Sequence, residues 1–368
     1  MTLTKPIQLP LKRAPQSICI LRLSALGDVC NAVPTVRALQ RQWPDCRITW
    51  ILGKTELQLL QGLEGIELLA YDKSSGLKGM LDIRKQLRGC QFDILLHMQQ
   101  ALRASILSLF IPARIRIGYD RDRAKDYQNW FTRYHLPTHP RAHVLEGFLD
   151  FAHALGVNTQ PLTWNIDIPE AARQQADTLT TAGPYLVLSP CSQQRARNFR
   201  NWLPEGYAEV IDHAYEKYGL ETLMTGGTSA MELAFGEQIS ALANHKPVNL
   251  IGKTPLKVLL ALIDRARLVV APDSGPAHMG TAMNTPVLGL YASTNPDRAA
   301  PYLSRNWVVN QYPQQVREHF NCSVEDLAWG TRVRAPDVMS GISSKQVLKK
   351  FDQLMAETAG PAPANEDS

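Results

Sequence analysis

The sequence predicts an α/β protein made of two doubly wound domains in tandem. Apolar runs of strand length recur along the 368 residues, and helical spacing follows many of them. A strand, a helix and another strand in this rhythm are typical of parallel βαβ units, because parallel strands need a long crossover. The rhythm starts twice, at Ser17 and again at Pro184, and the length also favours two domains over one.

The predicted elements of the first domain alternate regularly. Its strands are apolar throughout instead of alternating with polar residues, which indicates a sheet covered on both faces. The strands are Ser17–Leu23, Cys46–Leu52, Ile66–Tyr71, Phe92–His97 and Ile115–Tyr119, with a first helix at Val29–Trp43 and further helices between the later strands.

A polar stretch with two prolines, Asn158–Pro169, predicts the domain junction. The strands predicted after it are Pro184–Pro190, Glu221–Thr225, Pro247–Ile251, Leu268–Ala271 and Val287–Tyr291. The helices are Glu170–Thr180, Pro204–Tyr218, Ala230–Ala243, Pro255–Arg265, Ala277–Met283 and a terminal helix, Ser344–Glu357, capped by Ser343 or Ser344.

The composition is typical of a soluble globular protein, with 45% hydrophobic and 20% charged residues. No apolar run approaches the length of about 18 residues that a spanning helix needs. The N-terminal residues lack the pattern of a secretory signal, and a loose arm is expected there. None of the six cysteines has metal-ligand spacing, so a reduced, cytoplasmic compartment is predicted.

The net charge of +5 is unevenly distributed. Between Ala101 and Leu145, eight Lys and Arg residues stand against three acidic residues. This excess predicts either a solvated basic face or a surface for an anionic partner such as a phosphate, a carboxylate, a nucleic acid or an acidic membrane.

Ligands of open parallel sheets bind beyond the carboxyl ends of the strands, so the loops at those ends are the candidate sites. The loop after the first strand contains Asp28, which is predicted either to cap the first helix or to act as a general base. The loop Ser189–Trp202 contains Ser192, Arg195, Arg197 and Arg200, and it reads either as an anion-binding loop or as an exposed basic loop.

Two further loops carry candidate groups. Thr225-Gly-Gly-Thr228 precedes Glu232, which could accept hydrogen bonds from a ribose diol or could be an ordinary surface residue. Pro272–Met279 places Asp273, Ser274 and Gly275 at the mouth of a helix with Pro276 in its first turn. This predicts either a phosphate site, built from unpaired N–H groups and the helix dipole, or a simple helix cap.

Several known constellations are absent from the sequence. No G-x-G-x-x-G follows a strand, no P-loop is present, and no G-x-S-x-G nucleophile elbow occurs. No Cys and His set has zinc spacing. A nicotinamide oxidoreductase is therefore a distant alternative.

The loops together resemble glycosyltransferase family 9, the bacterial lipopolysaccharide heptosyltransferases, over about Ser17 to Leu354. Within the family the sequence looks closest to the enzymes that add the first heptose to Kdo. The segments that carry the resemblance are ILRLSALGDVCNAVPTVRAL from Ile20, RNWLPEGYAEVI from Arg200, TGGTSAMELAFGEQI from Thr225, the long segment Leu250–Tyr291 and STNPDRAAPY from Ser293.

The resemblance implies a GT-B fold, in which two Rossmann-like doubly wound domains face each other across a cleft. The implied regions are a flexible arm at 1–16, an acceptor-binding domain at 17–168, a nucleotide-sugar-binding domain at 169–342, a helix at 343–357 crossing back to the first domain and a disordered tail at 358–368. The implied reaction is inverting, metal-independent transfer of L-glycero-D-manno-heptose from ADP-heptose to a Kdo–lipid A type acceptor, with no cofactor and no nucleic acid partner. Peripheral contact with the inner membrane surface is also expected.

The family's site residues carry over by position. Asp28 matches the general base, and Arg200 stands where the family usually has Lys before x-Trp-Pro, although this chain reads Arg-Asn-Trp-Leu-Pro. The other implied donor-binding residues are Ser192, Gly227, Glu232, Lys253, Thr254, Asp273, Ser274, Gly275 and His278. The residues expected at the acceptor are Ser24, Gln100, Arg103 and Arg141.

Two other functions remain open at this point. One is a GT-B transferase or epimerase that uses another sugar nucleotide, and the other is a sugar-nucleotide binding protein without turnover. Nucleotide preference distinguishes the first from a heptosyltransferase, and the effect of changing Asp28 distinguishes the second.

Overall fold

The structure is a computed structural model that describes residues 9–180, 183–192 and 199–358. The chain divides into two compact units, Met1–Asp167 (unit 1) and Ile168–Ser368 (unit 2). Each unit contains a six-stranded sheet in which every strand pair is parallel. Helices lie between successive strands, which confirms the predicted α/β class.

Unit 1 alternates strands and helices. Its strands are β1 (Ser17–Leu21), β2 (Arg47–Gly53), β3 (Ile66–Tyr71), β4 (Phe92–His97), β5 (Ala113–Gly118) and β6 (Tyr134–His135). Its helices are α1 (Leu26–Gln42), α2 (Lys54–Leu60), α3 (Gly76–Gln86), α4 (Leu102–Ser108) and α5 (Val144–Ala154).

The strand order of unit 1 places one loop pair at its centre. The order is β3-β2-β1-β4-β5-β6, so the chain moves outward from β1 on one side and from β4 on the other. β1 is fully buried because its residues SICIL are covered on both faces of the sheet. The loops after β1 and β4 therefore meet at the topological switch point, where open α/β sheets bind ligands.

Unit 2 repeats the arrangement. Its strands are β7 (Tyr185–Leu188), β8 (Glu221–Met224), β9 (Val248–Asn249), β10 (Val269–Pro272), β11 (Val287–Tyr291) and β12 (Val308–Asn310). Its helices are α6 (Glu170–Asp177), α7 (Pro204–Tyr218), α8 (Ala230–Leu242), α9 (Leu256–Arg265), α10 (Gly275–Ala282), α11 (Pro296–Ala299), α12 (Tyr312–Phe320) and α13 (Ser344–Thr358). The order β12-β11-β10-β7-β8-β9 puts the switch point between β7 and β10.

The terminal helix α13 packs within unit 2. Val347, Phe351 and Leu354 are buried in the unit 2 core. Asp352 accepts hydrogen bonds from His213 Nε2 at 2.7 Å and from Tyr218 Oη at 2.7 Å, and both of these residues lie on α7. These contacts fix α13 on α7, and the expected return of this helix to the first domain stays a prediction.

Local hydrogen bonds mark both ends of α13. Ser343 Oγ accepts from Gln346 N–H at 3.4 Å, which makes Ser343 the cap of α13. Thr358, where the disordered tail was predicted to begin, is instead the last residue of α13, and its hydroxyl donates to Leu354 O at 2.8 Å. The rest of that tail and residues 1–8 of the predicted arm lie outside the described residues.

Candidate functional site

Polar residues gather at both switch points. In unit 2 they come from the loops after β7, β8, β10 and β11, and in unit 1 from the loops after β1 and β4.

The mouth of α10 contains an unsatisfied hydroxyl. Ser274 is the N-cap residue with extended backbone (φ −151°, ψ 169°), yet its side chain does not cap the helix. Ser274 is 9% exposed, and its Oγ has no hydrogen-bond partner among the described residues. The first N–H groups of an α-helix also lack acceptors within the helix. A buried hydroxyl beside unpaired N–H groups is suited to an anionic ligand.

Asp273 is held in a network at the same place. Its Oδ2 accepts from Arg200 Nη1 at 3.1 Å and from Thr294 Oγ1 at 3.0 Å, and its backbone carbonyl accepts from Arg200 Nη1 at 2.8 Å. Burial alone would raise the pKa of Asp273, but the charges of Arg200 and nearby cations outweigh burial and lower it. Asp273 therefore positions Arg200 and does not cap α10.

His278 belongs to the same cluster. It lies on α10, is 6% exposed, and its Nε2 is 4.0 Å from Asp273 Oδ1. Gly275 opens α10 directly after Ser274. The four residues predicted at this helix mouth, Asp273, Ser274, Gly275 and His278, are thus brought together by one strand end and one helix.

The loop after β7 reaches the mouth of α10 from the neighbouring strand. Arg200 follows β7 and bonds to Asp273, which follows β10, so these bonds link the two strand ends at the switch point. Ser192 is buried, and its N–H donates to Asn201 Oδ1 at 3.0 Å. Trp202 is buried and donates from Nε1 to Ile342 O at 2.9 Å, which anchors the end of this loop. Arg195 and Arg197 lie outside the described residues.

Glu232 joins the loop after β8 to the first turn of α8. It is 8% exposed, its Oε1 accepts from Gly227 N–H at 2.9 Å, and its Oε2 accepts from the Ser229 hydroxyl at 2.6 Å. A Cβ at Gly227 would lie 2.8 Å from Glu232 Oε2, so a larger residue there would have to displace this carboxylate. The buried position rules out an ordinary surface role for Glu232. Lys253 is exposed and Thr254 half-buried in the loop after β9.

Asp28 lies in the first turn of α1 in unit 1. Its Oδ2 accepts from Ala25 N–H at 3.1 Å and pairs with Arg22 Nη2 at 2.5 Å. Its Oδ1 makes no described hydrogen bond, and the side chain is 32% exposed. Asp28 therefore accepts a backbone hydrogen bond at the start of α1, but only through Oδ2.

Arg22 fixes the orientation of that carboxylate. It is buried, donates from Nη1 to Met98 O at 2.8 Å and lies over the Phe148 ring at 5.0 Å. Arg22 was not among the site residues predicted from the sequence. A cation inside the apolar run SICILRL is the signal that could have identified it, since a buried guanidinium requires a partner.

The four predicted acceptor residues are placed differently. Ser24 is joined to the loop after β4, because its N–H donates to Gln99 Oε1 at 3.3 Å. Gln100 donates from Nε2 to Arg123 O at 2.7 Å. Arg103 is exposed on α4 and donates to Lys73 O at 2.8 Å, while Arg141 is exposed before α5 with a left-handed φ of 59°. Their roles at an acceptor stay predictions.

The described residues show neither a metal-binding cluster nor a membrane-spanning helix. Within residues 9–180, 183–192 and 199–358, no group of three or more His, Cys, Asp or Glu side chains is arranged to hold a metal ion. In the same residues no helix has the length and apolar character needed to cross a membrane.

Comparison with known proteins identifies the family. The family model described as glycosyltransferase family 9 (heptosyltransferase) matches residues 80–327. The lipopolysaccharide core heptosyltransferase OpsX of Haemophilus influenzae is 41% identical over 342 residues, which cover 93% of this chain and 97% of that protein.

Solved structures show the same fold. A glycosyl transferase of family 9 from Veillonella parvula matches with a TM-score of 0.75 and 22% identity, covering 93% of this chain and 98% of that one. The Escherichia coli heptosyltransferase WaaC with ADP matches with a TM-score of 0.70 and 16% identity, covering 92% and 99%. The predicted GT-B class is confirmed, and the chain belongs to glycosyltransferase family 9, the heptosyltransferases, which makes it a glycosyltransferase.

Proposed function

We propose that the protein transfers L-glycero-D-manno-heptose from ADP-heptose to a Kdo–lipid A type acceptor, with inversion at the anomeric carbon and without a metal. The observation that carries the proposal is the buried, unpartnered hydroxyl of Ser274 at the mouth of α10, beside Arg200. A relative that is 41% identical is named a lipopolysaccharide core heptosyltransferase, which supports the same substrate class.

The donor diphosphate binds at the mouth of α10. The helix N-terminus carries a partial positive charge and unpaired N–H donors. Arg200 adds a full charge whose position is fixed by Asp273. When the bond to the sugar breaks, negative charge develops on the leaving diphosphate, and these fixed groups stabilise it without reorganising.

The nucleoside lies toward the loops after β8 and β9. Each oxygen of Glu232 already accepts one hydrogen bond within the protein. A carboxylate offers about four lone-pair sites, so Glu232 can also accept from a ribose hydroxyl. Lys253 and Thr254 follow β9 and are assigned to the adenine.

Asp28 removes the proton from the acceptor hydroxyl. Its free Oδ1 provides the acceptor for that proton, while Arg22 and the Ala25 N–H hold Oδ2 in place. A positioned carboxylate of this kind is a general base. The hydroxyl activated by Asp28 attacks the anomeric carbon of the donor sugar.

Calorimetric titration with ADP, UDP and GDP tests the donor assignment. We expect ADP to bind at least about tenfold more tightly than UDP or GDP, because a pocket specific for adenine loses contacts when the base changes. Equal or stronger binding of UDP would point to a GT-B enzyme with another donor and would contradict the proposal.

We also propose that unit 1 contacts an anionic membrane surface at the cytoplasmic face through the aromatic turn, which we define as residues 127–130. Trp130 is 81% exposed and Tyr127 64% exposed, with ring centroids 4.9 Å apart. Gln128 anchors this turn from below, since its buried Nε2 donates to His97 O at 2.8 Å. Arg121 and Lys125 are exposed next to it. Exposed aromatic rings flanked by cations are typical of peripheral membrane contacts.

Vesicle flotation tests this surface. The double change Tyr127→Ser and Trp130→Ser is expected to reduce binding to anionic vesicles by at least about fivefold, because interfacial anchoring depends on buried apolar area. Phe320→Ser, which removes another exposed aromatic residue from α12 in unit 2, is the matched control and should bind as wild type does. Equal binding of the double variant and wild type would rule out the aromatic turn as the contact.

A further inference from the structure

A short segment after α12 is fixed against the end of β11. Thr294 and Arg332 form an isolated antiparallel bridge. Beside the bridge, the Ser293 hydroxyl donates to Val333 O at 2.8 Å, and Val333 N–H donates to Ser293 O at 3.0 Å. Val333 is 1% exposed in the unit 2 core, so the segment has a defined position.

The bridge determines the side on which Arg332 emerges. Successive side chains of an extended segment point to opposite faces, so Arg332 leaves on the face opposite the buried Val333. Directly paired residues of an antiparallel bridge share a face, with Cβ atoms about 5 Å apart. The partner of Arg332 is Thr294, whose Oγ1 donates to Asp273 Oδ2 at 3.0 Å. Arg332 therefore emerges beside Asp273.

The charges around Arg332 leave an excess of cations. The pKa of Arg332 is lowered by partial removal from water; Asp273 opposes this change, and Arg200, Arg298 and Arg334 add to it. Asp273 is thus an attractive neighbour of Arg332, whereas Arg200, Arg298 and Arg334 repel it. That carboxylate is already bonded to Arg200, so the surplus positive charge is suited to an external anion.

We propose that Arg332 contacts the β-phosphate of the donor and stabilises the charge that forms on the leaving nucleoside diphosphate. The inference rests on the proposed function, and the unpartnered Ser274 Oγ marks the anion site independently. In the step, the bond between the anomeric carbon and the β-phosphate oxygen breaks and its electron pair stays on that oxygen. The acceptor oxygen forms the new bond to the carbon, and its proton passes to Asp28. Arg332 stabilises this new negative charge on the phosphate oxygen.

The test compares ADP with AMP, which lacks the β-phosphate. Arg332→Ala should weaken ADP binding about tenfold and AMP binding less than about twofold, as expected for the loss of one charged hydrogen bond. Arg332→Lys should restore part of the ADP affinity, because it keeps the charge. Arg317→Ala is the charge-matched control, since Arg317 is exposed on α12, and it should leave both affinities unchanged.

The outcomes are distinguishable. Equal weakening of ADP and AMP, or no weakening of either, would overturn the role of Arg332. If Arg332→Ala does not fold, as judged by its thermal transition, Arg332→Gln removes the charge with less loss of packing and must show the same change in the ADP to AMP ratio. Failure of the wild-type protein to prefer ADP over UDP and GDP would instead remove the proposed function.

Discussion

Asp28→Asn is expected to lower turnover at least about 100-fold while ADP affinity stays within about twofold of wild type. Asparagine keeps the shape of the side chain and can still accept from the Ala25 N–H, so α1 should begin as before. An amide oxygen is far too weak a base to take the acceptor proton. The effect should therefore appear in turnover and not in donor binding, because Asp28 belongs to unit 1 and the donor site to unit 2.

Steady-state rates and calorimetry measure the two quantities separately. Asp45→Asn is the matched control, because Asp45 is an exposed carboxylate just beyond α1 and should leave turnover unchanged. Near-normal turnover of Asp28→Asn would exclude Asp28 as the base and would favour a binding protein or a different catalytic group.

Arg200→Ala is expected to weaken ADP binding at least about 30-fold, through loss of a charged contact to the diphosphate. The same change removes the closest cation from Asp273, whose side chain is 10% exposed. An uncompensated buried carboxylate is destabilising, so the free energy of unfolding should fall by about 2 kcal/mol. Arg200→Lys should recover part of the affinity but not all of it, because lysine cannot bond the Asp273 carbonyl and a phosphate with one rigid fork.

Calorimetry with ADP and denaturant unfolding check the two effects of Arg200→Ala. Arg317→Ala again serves as the charge control on both measurements. Wild-type ADP affinity in a folded Arg200→Ala variant would show that Arg200 only supports Asp273 and does not bind donor.

The sequence predicted the long buried strands best. Phe92–His97 and Val287–Tyr291 have the same bounds in the structure as in the prediction, because mostly apolar runs between loops leave little ambiguity. The short edge strands β6 and β12 were not predicted, because a strand of two or three residues is too short to show a periodic hydrophobic pattern. The α10 helix begins at Gly275, two residues before the predicted start, because proline fits the first turn of a helix and the preceding glycine joins it.

The site residues that lie in recognisable motifs could be predicted from the sequence, and the others could not. Asp28, Glu232 and the Asp273–His278 stretch were selected from their positions after strands and from the family resemblance. Arg332 has no such signal, because its place beside Asp273 depends on a bridge to Thr294, 38 residues earlier in the chain by their numbers. Whether Ser274 caps α10 could not be decided from residue type, since a serine there suits both roles.

The central claim is that the mouth of α10 holds the donor diphosphate, and a crystal structure of the protein with ADP tests it most directly. We predict the β-phosphate within hydrogen-bonding distance of Ser274 Oγ and the Arg200 guanidinium, with the ribose at Glu232. ADP bound at any other place in the protein, with the Ser274 hydroxyl still unpartnered, would contradict it.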